Sequence, residues 1–261
     1  MKDTDKIEVQ QLLERLGFVV EPIEETDDQK RADLCVTDAD SVYLIEVKTR
    51  QGSEFESNLS EHGFAESLLT LAYANVVSSQ IYDAVKQLRE SSNCSQPFQL
   101  LWYQNLDEDE CERVVKTLYG IVTVIRPSGK TGAESIDCLY LTFSEFYRYP
   151  DIVGAVLAHK YGGFLFPNFL SPVYTKFRSS QLFRVFNEHD AVQDFLVLES
   201  RGDVYIADCD GSRKDKNRKQ LLNYVEEKYG VQGLIDVEPK YARVAIIVPR
   251  KKENEEKLGE V

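Results

Sequence analysis

No long hydrophobic run is present in this chain. Nothing in its 261 residues approaches the ~20 consecutive apolar residues that span a bilayer, so no transmembrane helix is expected. The charged opening Met1-Lys2-Asp3-Thr4-Asp5 lacks the apolar stretch of a signal peptide. Cysteine is sparse and unpatterned. The five residues at 35, 94, 111, 138 and 209 are an odd number with no Cys-x-x-Cys spacing. This argues against a disulfide framework or a zinc site, and a reducing cytoplasm is the expected compartment. Positive charge is also short: 31 Lys and Arg stand against 44 Asp and Glu, a net charge of −13. Phosphate contacts need positive charge, so a simple nucleic-acid binder is disfavoured and any such surface has to be local. The three histidines, His62, His159 and His189, show no metal or triad spacing.

With 43% hydrophobic and 11% aromatic residues, the chain can bury one large core or two small ones. Its most informative stretch is Arg31-Ala32-Asp33-Leu34-Cys35-Val36, a polar turn Thr37-Asp38-Ala39-Asp40-Ser41, and Val42-Tyr43-Leu44-Ile45-Glu46-Val47-Lys48. Two runs rich in β-branched and aromatic residues around a polar connection predict a hairpin. Side chains alternate along a strand, so Glu46 and Lys48 share one face while Tyr43, Ile45 and Val47 share the other. On that face the acid and the amine lie about 7 Å apart. Asp33, between Ala32 and Leu34, also leaves the apolar face of its strand. Two carboxylates and an amine converging in this way suit a divalent cation beside a phosphate. The bland alternative is a half-buried sheet whose open face carries solvated charges, with Lys48 in a cross-strand ion pair worth ~0.2–1 kcal/mol.

These residues resemble the PD-(D/E)xK nuclease superfamily, in particular its resolvase-like and Mrr-like restriction branches. The family pattern is an Asp on one strand and (Asp/Glu)-x-Lys on the next. Asp33 and Glu46-Val47-Lys48 match it at a separation of 13 residues, with Ala32 where a Pro often stands. The surroundings agree with the family's helix-strand-strand-strand-helix-strand core. An amphipathic helix carries Val9, Leu12, Leu13 and Leu16 and stops at Gly17. A strand follows at Phe18–Glu21, then the hairpin, a long helical region from about Phe64 to Ser92, and a strand at Phe98–Tyr103. The resemblance covers roughly the first half of the chain. It implies a restriction-endonuclease-like α/β fold, a mixed sheet flanked by helices, and Mg²⁺- or Mn²⁺-dependent hydrolysis of phosphodiester bonds, in DNA first and with RNA left open. Restriction, antiviral defence or repair is the implied setting. Asp33 and Glu46 are the implied metal ligands, and Lys48 is the residue that stabilises the attacking water.

Two further residues follow from the resemblance. Glu8, at the edge of the first helix's stripe, corresponds to an acid that resolvase-type members add to the metal site; otherwise it is a solvated acid in the first turn. Gln87 lies where the family places a polar residue near the site, and otherwise faces solvent. The basic run Arg213, Lys214, Lys216, Arg218 and Lys219 is the most positive segment, read either as a grip on DNA phosphates or as a solvated loop entering a helix.

Arg126-Pro127-Ser128-Gly129-Lys130-Thr131-Gly132 breaks the pattern and predicts a boundary near residue 130. Residues 1–130 then form the nuclease-like core, 131–250 an α+β region and 251–261 a mobile tail. A helix is expected at Phe143–His159. Asp194–Val197, a turn and Val204–Asp210 echo the first hairpin, with Asp210 where the first copy has Lys48. The second half is either a degenerate, lysine-less copy or a chance likeness between two hairpins. Gly129-Lys130-Thr131 lacks the first Gly of a P-loop, so no nucleotide cofactor is expected. A partner protein or homo-oligomer stays open. If the fold is non-catalytic, it serves as a module that binds a protein or nucleic acid.

Overall fold

The computed structural model describes residues 2–24, 31–49, 64–69, 75–91, 97–128, 132–159, 162–209, 219–237 and 242–247. Helix α1, Lys2–Arg15, buries Val9 and Leu13 and stops where Gly17 adopts a left-handed φ of 88°. The Phe18 N–H then returns to the Leu13 carbonyl, a glycine-dependent closure of the helix end. Strand β1, Val19–Pro22, pairs antiparallel with β2, Leu34–Thr37. A tight connection leads to β3, Val42–Thr49, also antiparallel, with Leu34 opposite Ile45. The expected hairpin is therefore present. Asp38 builds its turn by accepting from the Asp40 and Ser41 N–H groups at 2.8 Å each, the local bonding that makes Asp a turn residue.

Helix α2, Asn75–Glu90, crosses to β5, Phe98–Gln104, which runs parallel to β3. Helix α3, Glu108–Tyr119, begins with a capping box between Asp107 and Glu110. Beyond β6 (Ile121–Ser128) and β7 (Gly132–Tyr140), a 3₁₀ turn and the short helix α4, Glu145–Arg148, lead to β8, Ile152–His159. Strand β8 lies parallel to β5, and β9, Gly162–Pro167, closes the other edge. The result is a mixed α/β fold around a six-stranded sheet of order β1-β2-β3-β5-β8-β9. One face packs with α1, α5 (Tyr174–Arg178) and α6 (Gln181–Glu188) around Tyr43, Ile45, Val47 and Trp102. The other, with Leu44, Leu101 and Tyr103, packs with α2, α3, α4 and α7 (Phe195–Arg201).

A second sheet has the order β10-β7-β6-β11, with β10 at Val204–Ala207 and β11 at Ile235–Val237, and carries α8, Lys219–Tyr229. The chain position near 130 thus falls between β6 and β7, which pair antiparallel, and β8 and β9 belong to the first sheet. A separate compact unit, residues 51–71 and 239–261, contains the antiparallel pair β4, Phe64–Leu69, and β12, Ala242–Ile247.

Three sequence expectations are corrected. The long helical region begins at Asn75, because Phe64–Leu69 pairs with a strand some 180 residues away, a partner that local pattern does not reveal. The helix expected at Phe143–His159 is a short helix followed by β8. Its run Ile-Val-Gly-Ala-Val-Leu-Ala is buried on both faces between two neighbouring strands, where apolar content loses the strand period. Asp194–Val197 is not a strand. Asp194 caps α7 by accepting from the Leu196 N–H at 3.1 Å, so the second hairpin of the supposed repeat is absent. No helix among the described residues is long and apolar enough to cross a membrane.

Candidate metal and phosphate site

Asp33 sits where the β2–β3 ladder ends. Its N–H still bonds the Ile45 carbonyl at 3.1 Å, and its side chain then takes the place of the next rung: Oδ2 accepts from the Val47 N–H at 2.7 Å. Among the described residues, β3 continues beyond this point toward Lys48 paired with β5. The carboxylate is held by a backbone donor, and its other oxygen, Oδ1, lies 2.5 Å from the Lys6 ammonium on α1.

Glu46 lies opposite this position in the hairpin register, on the face covered by α2. It is 3% exposed and Asp33 6%. These are not charges on an open sheet face, which removes the solvated-face alternative. Glu46 Oε1 accepts from Lys48 Nζ at 2.6 Å, while Oε2 is buried without a hydrogen-bond partner. Burial, and secondarily the Asp33 charge, push the Glu46 carboxyl up to about 7 despite the opposing pull of Lys48 and Lys6.

Lys48 also donates to Gln87 Oε1 at 3.1 Å, so Gln87 does face the site. The same helix anchors the other strand: Ser91 Oγ accepts from the Ala32 N–H at 2.7 Å and donates to the Gln87 carbonyl at 2.9 Å. The C-terminal turn of α2 therefore locates Lys48 and the residue before Asp33 together.

Glu8 goes elsewhere. It is exposed and accepts from Gln104 Nε2 at 3.5 Å, at the end of β5. Lys219 begins α8 and is exposed; Arg213, Lys214, Lys216 and Arg218 lie outside the described residues. Three residues near the site were not anticipated from sequence. Lys6 is one, although its spacing to Val9 and Leu13 places it in line with the buried stripe, a helical signal that was available. Tyr103 stands beside Lys48 in the β3–β5 register, on the same face, with its hydroxyl buried and unpartnered. Its ionisation is pushed up by burial and by the charges of Glu145 and Glu46. Glu145, fully buried on α4, accepts from Ser78 Oγ of α2 at 2.6 Å.

Among the described residues, no group of three or more His, Cys, Asp and Glu side chains gathers in a metal-holding arrangement. The donor set at this site is two carboxylates, one with an unpartnered buried oxygen. That set fits a hard divalent cation whose remaining ligands are water and phosphate oxygen. On the α1 side, a cleft of about 400 Å³ opens beside the Lys6–Asp33 pair and is lined also by Gln10, Ile23 and Glu24. No family model, no curated protein and no solved structure matches this chain.

Proposed function

We propose that this chain is a metal-dependent nuclease of PD-(D/E)xK type, hydrolysing phosphodiester bonds in DNA in a cytoplasmic restriction, defence or repair setting. The observation that carries the reading is the buried pair of carboxylates, Asp33 and Glu46, with Lys48 held against one of them. Burying two acids side by side is costly unless something offsets their charge. Functional sites are where such perturbed groups collect. In this reading Asp33 and Glu46 hold Mg²⁺ or Mn²⁺, which supplies an activated water and neutralises charge building on the phosphate.

The protein's own groups do the rest. Lys48 uses two of its N–H bonds on Glu46 and Gln87, leaving the third to orient water and to stabilise the developing negative charge. Asp33 is kept rigid by the Val47 N–H, and the burial of Glu46 excludes bulk water from its unpartnered oxygen.

The test is incubation of supercoiled plasmid with the purified chain and Mg²⁺ or Mn²⁺, against a chelator control. Metal-dependent nicking that disappears in Lys48→Ala supports the reading. Inactivity on supercoiled, linear and single-stranded DNA with either metal overturns it. A second reading draws on the pairing of each carboxylate with its own lysine and on the charge of −13. With its charges already balanced, the fold would act as a non-catalytic module for a protein or nucleic-acid partner, and would bind without cutting.

A further inference from the structure

Asp33 Oδ2 accepts from the backbone of β3, so Oδ1 is the oxygen turned away from that bond, and the Lys6 ammonium lies 2.5 Å from it. The Lys6 side chain is 30% exposed and lines the cleft beside α1. It is thus bound to a nearly buried acid at one end of its reach and open to solvent at the other. The charge count is equally particular. Asp33 and Glu46 bring two carboxyl groups to this place, and Lys6 and Lys48 two amines. A divalent cation added beside two amines favours the arrival of an anion with it. At Asp33 Oδ1 the cation meets the ammonium of Lys6 at contact distance, where like charges repel.

We propose, resting on the nuclease reading above, that Lys6 is an exchanging phosphate ligand. It guards Asp33 in the free protein, and when a divalent cation takes Oδ1 it transfers its ammonium to a non-bridging oxygen of a DNA phosphodiester in the adjoining cleft. The long flexible stem of lysine allows the swing, and its compact ammonium serves an acid or a phosphate equally as a point charge. Metal and phosphate then enter as a coupled pair, each removing an obstacle to the other. The free protein binds metal weakly for the same reason.

Lys6→Met keeps the apolar stem and deletes the charge, and it separates this role from a structural one by moving two affinities in opposite directions. Mn²⁺ binding is measured by calorimetry on the full chain, with Glu46→Gln as the control that locates the ion. A short DNA duplex is titrated separately in Ca²⁺, which supports binding without requiring turnover. The expected result is Mn²⁺ bound at least about tenfold tighter by Lys6→Met, since a unit charge at ion-pair distance outweighs a factor of ten at protein-surface dielectric. DNA in Ca²⁺ is expected to bind several-fold more weakly, with its salt dependence lowered by about one phosphate contact. If both affinities fall, Lys6 is a structural tie. If wild type binds Mn²⁺ and Lys6→Met binds it no tighter, the exchange is refuted and the metal site survives. If neither folded protein takes Mn²⁺ even with DNA present, the metal site itself is lost, and this proposal with it.

Discussion

Replacing Glu46 with Gln should make the protein more stable and abolish the proposed metal-dependent cleavage. The carboxyl ionises near 4.5 in an unfolded chain and at about 7 when folded. Below pH 4.5 both states hold the proton and nothing is lost. Between those values the unfolded chain gives up its proton and the folded one keeps it, so stability falls as pH rises; above 7 the loss is complete. A gap of this size corresponds to about 3 kcal/mol. Glu46 is 3% exposed, so solvent screening does little to reduce it. The attraction of Lys48 and Lys6 already opposes the shift, and so the net penalty includes their help. A Gln side chain preserves the shape and an oxygen for Lys48 while removing the charge. Urea unfolding of wild type and Glu46→Gln at half-unit steps from pH 4.5 to 8.5 should show curves that coincide at the acid end. They should separate to about 3 kcal/mol by pH 8, or roughly 5–10 °C in a thermal melt of a domain this size. Millimolar Mg²⁺ should narrow the gap from the wild-type side only, by mass action on the folded state. A variant less stable than wild type at pH 8, or a gap independent of pH, would show that the buried charge is not what strains this site.

The remaining predictions concern the parts that hold the site. Lys48→Ala should lower the plasmid-nicking rate by about 10²-fold or more while Mn²⁺ binding persists, because the lost group serves the developing charge and is not a metal ligand. Ser91→Ala removes the oxygen that satisfies the buried Ala32 N–H. It should cost ~1–3 kcal/mol in urea unfolding and also reduce cleavage, since Asp33 is the next residue. Gly120→Ala forces an L side chain to φ 66° and brings its Cβ to 2.5 Å from the Tyr140 carbonyl oxygen. It should destabilise by more than Gly202→Ala, which has φ 82° but open space and bears only the ~1–2 kcal/mol of the left-handed backbone.

The central hairpin was legible because three local signals agreed. Its turn is built by Asp38, its strands are β-branched and aromatic, and the alternation placed Glu46 and Lys48 together. The end of α1 at Gly17 was equally local. What escaped was set by distant partners. Phe64–Leu69 is a strand only because Ala242–Ile247 pairs with it. Ile152–His159 is a strand because it is inserted between β5 and β9. An apolar run covered on both sides carries no period to read. At the site, the carboxylates and Lys48 followed from strand alternation, whereas Lys6 depends on the register of α1 against the sheet. Helix periodicity narrows that register to a stripe, and acid-for-acid matching to a family pattern pointed to Glu8 instead.

The place of β8 in the sheet has a consequence for biosynthesis. Asp33, Glu46 and Lys48 precede β8 in the chain, and β5 acquires its second neighbour only when residues 152–157 have emerged. Until then the nascent polypeptide presents β5 as an open edge of apolar sequence, the kind of template that invites mispairing. A fragment that ends before β8 therefore lacks the strand that covers this edge, and the sheet that carries Asp33, Glu46 and Lys48 is complete only once β8 has joined β5.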